Sequence, residues 1–263
     1  MRQPIEWELP LTYLAFADIP DSVLRMKKLL FNSVVALVSV HALTAQPLRA
    51  LFSEDFESGS INPNIWTESV TGDSVIRVQQ ERAAHGKYAL LVRNPAAAQK
   101  TWALLTASHI PETLRHHHFG RAYVYITPSL PARHTVFLTA GTAGFPKYKY
   151  EEVATLNGRF QLTFVDQVDG GEDWHSGGSD VPLDRWFCLE WEFNDDPDYA
   201  AVWVDGQKVY DTSFSFKAAG GKNLVGGFTD IAFGFRLWGA APQAFDIYYD
   251  DIALDTKRVG PIE

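Results

Sequence analysis

From residue 74 onward, apolar and polar positions alternate with a period of two in short runs, and Gly, Pro, Asn and Asp punctuate them. No stretch carries the three-to-four spacing of an amphipathic helix, so the pattern predicts an all-β chain. Strands are expected at Ser74–Val78, Tyr88–Val92, Trp102–Ala107, Arg121–Ile126, Thr135–Ala140, Tyr148–Thr155, Phe160–Val165, Phe187–Phe193, Ala200–Val204, Lys208–Thr212, Asp230–Trp238 and Ile247–Leu254. So many short strands in one stretch suit a single sandwich or jelly roll over residues 46–263 rather than two domains. Asp205-Gly206 between two β-rich runs predicts a tight hairpin. The Gly-rich stretches 169–180 and 217–227 read as long surface loops.

Alternation also assigns faces. In "RAYVYI", Ala122, Val124 and Ile126 point inward and Arg121, Tyr123 and Tyr125 outward. In "IAFGFRLW", Ile231, Phe233, Phe235 and Leu237 form the inward row, which leaves Arg236 and Trp238 side by side facing out. Indole stacks on sugar rings and guanidinium holds carboxylates, although the two together also make an ordinary surface cation–π pair. In "FPKYKYEE", Tyr148, Tyr150 and Glu152 share a face, Lys149 lies between them, and His134 precedes the neighbouring strand.

Acid–base chemistry at such a face needs a cation that neutralises charge, a base that takes a proton and an acid that returns one. Tyr150, Lys149, Arg236 and His134 are the candidates for those roles, with Trp238, Tyr123, Tyr125, Tyr148, Arg121 and Glu152 as groove residues. A tyrosine-rich strand is equally at home in any sandwich. His116, His117 and His118 lack an acidic or Cys partner at metal-site spacing and read as a polar loop. Glu190 and Glu192 read as solvent-facing, and Cys188 as a packed small hydrophobe.

Composition narrows the partners. With 46% hydrophobic residues the chain can fill a core, and 32 acidic against 23 basic residues leave a net charge of −9, the wrong sign for a nucleic-acid surface. "MKKLLFNSVVALVSVHALTA" at 26–45 has the positive start and short apolar run of a signal peptide, too short for a comfortable membrane span. Residues 1–25 have no place in such a segment and read as a mis-annotated extension. The expected product is a secreted or periplasmic monomer without a membrane partner after cleavage.

Two acidic clusters stand near the ends of this region: "LFSEDFESGS" at 51–60, where Phe52, Glu54 and Phe56 would share one strand face, and "YYDDIALD" at 248–255. Together they could surround a cation. The order "EDFESG", "HGKYALLV", "GRAYVYI", "WFCLEWEF", "VWVDGQKV", "FGFRLW" and "YYDDIALDTKRVG" resembles the secreted cellulose-induced proteins of fungi and bacteria, which are related to the glucuronan lyases. That resemblance implies a concanavalin A-like jelly roll, polysaccharide as partner, and a structural Ca2+ joining the first strand to the last. The implied ligands are Glu57, Asp250 or Asp251, and backbone oxygens of the turn from His85 to Tyr88. It also implies a tyrosine where this chain has Trp238, and His and Arg near Glu152, departures that count against proton shuttling. Two functions remain open: a polyuronate lyase and a non-catalytic carbohydrate-binding module.

Overall fold

The computed structural model describes residues 50–142, 149–167, 171–196, 198–214 and 227–262. The expected signal segment, Tyr148 and most of the Gly-rich stretch 217–227 lie outside these residues. The described chain forms strands β1 (Phe52–Glu54), β2 (Trp66–Val70), β3 (Val75–Gln79), β4 (Ala89–Asn94), β5 (Thr101–Ser108), β6 (His117–Ile126), β7 (Thr135–Gly141), β8 (Lys149–Leu156), β9 (Arg159–Asp166), β10 (Gly171–Asp180), β11 (Trp186–Asp195), β12 (Asp198–Val204), β13 (Gln207–Ser213), β14 (Asp230–Leu237) and β15 (Phe245–Asp255). Every expected strand is present within a few residues of its bounds. The stretch 169–180 differs: its described part is strand β10, because Glu172 to Ser176 pair residue by residue with Val165 to Gln161 at a sheet edge.

Two antiparallel sheets pack as a jelly-roll sandwich. One runs β13-β12-β11-β6-β15-β4-β3 with β1 also on β15, and the other β10-β9-β8-β7-β14-β5-β2. The inward rows expected from alternation, Ala122, Val124, Ile126 and Ile231, Phe233, Phe235, Leu237, all lie in the core. Large and small side chains interlock there: Gly120 faces Trp191 across β6 and β11, and a Cβ on Gly120 would lie 2.0 Å from the indole. The Asp205-Gly206 hairpin forms with both residues at positive φ (49° and 80°), as a tight primed turn requires.

β15 is the organising strand. One edge pairs with β6, while the other pairs with β4 over 245–249 and then with β1 over 252–254. At the fork, Asp251 adopts a left-handed backbone (φ 46°) and the register shifts between Asp250 and Ala253. Beside the fork, the turn between β3 and β4 presents backbone N–H groups, and the acidic clusters take them up. Buried Asp250 accepts from Ala84 N, His85 N and Asp251 N at 2.9, 3.2 and 2.8 Å. Glu57 accepts from Lys87 N and Tyr88 N, both at 2.8 Å, and these bonds pull its carboxyl below the ordinary range. Glu54 bonds Phe56 N and the Trp66 indole. Phe56 therefore does not continue a strand face: at φ 57° it turns off after β1 and buries its ring beside Trp66.

A second acidic group lies between the sheets at one end. Glu151, Asp195 and Asp198 share the inward faces of Val153, Phe193 and Ala200, and Glu151 is fully buried with neither oxygen hydrogen-bonded. Burial holds the Glu151 carboxyl well above its usual range, with the charges of Asp198 and Asp195 adding to the effect.

Burial, reinforced by neighbouring carboxylates, raises Asp198 and Asp250 to about 6, against about 3.9 in an unfolded chain. As pH falls through 6 the native state takes up these protons before the unfolded chain does, so both groups cost stability above pH 6 and the cost is relieved as pH falls toward 4. Asp198→Asn is expected to raise the free energy of unfolding in urea at pH 7.5 by on the order of 1 kcal/mol after allowance for partial exposure. The gain should vanish near pH 4; an equal gain at both pH values would contradict the assignment. Asp250→Asn, which turns an N–H2 toward backbone donors, is expected to cost about 2–3 kcal/mol in the same assay.

Candidate functional site

The outer face of the seven-stranded sheet carries the candidate site. Strand register places Thr67, Thr106, Ala232, Thr139, Glu152, Thr163 and Trp174 in one strip across all seven strands. Adjacent strands lie about 4.8 Å apart, so the strip spans about 29 Å. On β14 the outward row reads Asp230, Ala232, Gly234, Arg236, and small Ala232 leaves a pocket of about 160 Å3 lined also by Trp102, Thr106, Thr139, Asp230 and Arg236.

Bulges at Gly234 and Phe137 set the aim of Arg236. The Tyr249 hydroxyl reaches across the core to the carbonyls of both residues, at 2.7 and 2.8 Å, so the disrupted ladder keeps its partners. Arg236 then pairs with Glu152 and lies over the Tyr150 ring at 4.7 Å. His134 donates from Nδ1 to Gln161 Oε1 at 2.6 Å, turns Nε2 toward Glu152 at 3.7 Å, and packs against Trp174 with ring centroids 4.6 Å apart. Gln167 donates to the Tyr150 hydroxyl at 3.2 Å. Trp174 and Trp238 stay 44% and 43% exposed, and the Lys100 ammonium sits 3.2 Å above the Trp238 ring. Burial lowers the Lys100 pKa, and Arg236 lowers it further.

The structure thus brings Tyr150, Glu152, His134 and Arg236 together, with Trp238 nearby through a Trp238 N to His134 O bond of 3.2 Å. Several expectations need correction. Arg236 faces away from the core as alternation requires, yet it is 1% exposed, buried together with Glu152 and Tyr150; it does not stand beside Trp238 in solvent. Lys149 points between the sheets, in the inward row of Glu151 and Val153, and pairs with Asp166 at 2.8 Å. It cannot serve a site on the opposite face.

Arg121, Tyr123 and Tyr125 do face outward, but on the other sheet, where each is engaged. Arg121 donates to the Asp251 and Gly260 carbonyls, the Tyr123 hydroxyl accepts from Ile262 N, and the Tyr125 hydroxyl bonds Asp184. Glu190 is buried rather than solvent-facing: Arg258 forks onto it and Gly260 N donates to it, which pins the segment after β15. The His stretch enters β6 instead of forming a loop. Its His118 is buried between Phe193 and Phe228, and burial depresses its pKa to about 4. Cys188 is buried as expected, its thiol pushed up to about 12.

Sequence reasoning missed Trp102, Trp174, Lys100, Gln161 and Asp230. Trp174 fell in the stretch read as a loop, and the others depend on which strands become neighbours. An outward Trp in the predicted strand 102–107 was the one available signal.

The calcium residues can be tested against the fork. Glu57, Asp250 and Asp251 all reach the 84–88 turn, and the Asp251 carboxylate bonds the His85 ring. Their oxygens are the hard donors calcium takes. As they lie, the side chains grip backbone N–H groups, and among the described residues no three His, Cys, Asp or Glu side chains are gathered closely enough to hold an ion. Tyr88 gives the turn its backbone N–H, and its ring packs against Gly59 and the core.

No family model matches the sequence, and no curated protein matches it. Solved structures do. The cellulose induced protein Cip1 superposes with a TM-score of 0.61 at 16% identity, over 80% of this chain and 100% of its own. The endo-beta-1,4-glucuronan lyase of the fungus Trichoderma reesei superposes with a TM-score of 0.59 at 12% identity, over 79% of this chain and 96% of its own. The chain has the jelly-roll fold of these two proteins.

Proposed function

We propose that the outer face of the seven-stranded sheet, at the β14 pocket and the exposed rings of Trp174 and Trp238, binds polysaccharide, and that it does so without cleaving the chain. The observation that carries this reading is the covered Arg236–Glu152 ion pair flanked by the exposed rings of Trp174 and Trp238. Exposed indoles offer sugar rings a stacking platform at little entropic cost. Elimination needs an accessible cation for the uronate and an accessible base. Here Arg236 is already neutralised by Glu152, and Tyr150 is 2% exposed with its hydroxyl held by Gln167. The lyase reading keeps one support, the His134 ring between Gln161 and Glu152. The likeness to a cellulose-induced protein and a glucuronan lyase is consistent with either outcome.

In this reading the protein works outside the cytoplasm after loss of residues 26–45, as a monomer. Calcium would lie between Glu57 and Asp250, with backbone oxygens of the 84–88 turn, and would supply positive charge at the fork.

Oligosaccharide titrations followed by tryptophan fluorescence test the binding. Trp174→Ala and Trp238→Ala are each expected to weaken it about tenfold, at about 1–1.5 kcal/mol per lost stack. Incubated with glucuronan, alginate and other polyuronates, the protein is expected to give no ultraviolet absorbance of unsaturated product. A rise abolished by His134→Ala would establish the lyase instead.

Calcium at one hundred times its Kd is expected to stabilise the fold by about 2.7 kcal/mol, reversed by EDTA. That amounts to a Tm shift of about 5–11 °C for a domain of this size. An unchanged Tm would show that the carboxylate clamp works without the ion.

A further inference from the structure

Resting on the glycan-binding reading, the geometry points to a substrate class: the pocket on β14 takes a neutral sugar residue, not a uronate. The pocket exists because of the outward row on that strand. Ala232 carries almost no bulk, and Gly141 on β7 belongs to the same lining, so the middle of the pocket stays open. At about 160 Å3 it has room for about five waters, which one sugar ring would displace.

Its lining is that of a hydroxyl-recognition site. Trp102 supplies an aromatic wall, Thr106 supplies a hydroxyl that donates or accepts, Thr139, whose proton goes to the Glu151 carbonyl, supplies an acceptor, and Ala232 gives an apolar floor. At one end stands Asp230, half-buried, its carboxyl raised by burial with the neighbouring Ser108, His109 and Thr229 working against that rise. A carboxylate placed here can accept hydrogen bonds from sugar hydroxyls, and charge-assisted bonds of this kind are the strong ones.

The charge balance then excludes a uronate. Arg236 lines the opposite end, but its charge is met by Glu152. Lys100 does not line the pocket and rests on the Trp238 ring. A uronate carboxylate entering here would lose water, meet the like charge of Asp230 and find no unmatched cation among the lining residues.

The test compares neutral cello-, xylo- and manno-oligosaccharides with glucuronan and alginate oligosaccharides of equal length. It uses calorimetric titration of residues 46–263 and two variants, with thermal melts to confirm folding. Ala232→Leu fills the pocket without touching any charge and is expected to abolish binding. Asp230→Asn removes the charged acceptor and is expected to weaken neutral-sugar binding about tenfold while narrowing the preference over uronates. The expected result is a neutral ligand bound at least tenfold more tightly than any uronate.

Uronates bound as tightly or more tightly, and lost in Ala232→Leu, would overturn the neutral class and leave the glycan-binding reading standing. Binding untouched by Ala232→Leu but lost in Trp174→Ala would overturn the pocket assignment alone. A panel that binds nothing would overturn the glycan-binding reading and this inference with it.

Discussion

Like charges crowd the two ends of the described chain because the turn between β3 and β4, beside the fork in the sheet, offers them backbone donors. β15 serves β6 on one side and hands its other side from β4 to β1, and where it does so no strand can continue the ladder. Carboxylates accept strongly from backbone N–H groups, and the turn offers four of them. Asp250 on β15 and Glu57 just beyond β1 each take two amides of that turn. The cost is visible in Asp250, whose burial beside Asp251 raises its pKa. The rest of the eight-stranded sheet is aligned by this join, and Tyr249, one residue before the fork, carries the alignment through the core to the bulged strands β7 and β14.

The same accounting governs the outer face of the other sheet. An arginine in a covered position needs a counter-charge, and β8 provides it two residues after Tyr150. Once the pair forms, the residues that looked most reactive in the sequence become the most satisfied in the structure, and contact with solvent passes to Trp174, Trp238 and Trp102. Binding surfaces built on aromatic rings need no titrating group, whereas proton transfer does.

The fold was legible because period-two alternation is a local signal, and both inward rows, Ala122–Ile126 and Ile231–Leu237, could be read from it directly. The exception was β10. Its Gly-rich sequence looks like a loop, and it is a strand because β9 offers it an edge. The site was less legible for a related reason. Alternation says that Arg236, Tyr123 and Tyr150 face away from the core, but not which sheet each belongs to or what lies over it. Lys149 shows the limit most plainly: adjacent to Tyr150 in sequence, it is on the other side of the sheet. Asp230 and Gln161 carry no local mark at all, since their roles come from neighbours far away in sequence.

β15 also fixes when the molecule can fold. It occupies an interior place in its sheet, between β6 and β4, and the residues beyond it are anchored by Glu190 and Tyr123. On a ribosome, strands β1 to β14 would emerge with a gap where their central partner belongs, and β1 would have no neighbour in its sheet. Long-range pairing of this kind is slow and is completed only when the distant segment is present. Synthesis therefore runs well ahead of folding, and the nascent chain stays open until residues 245–255 are available to close it.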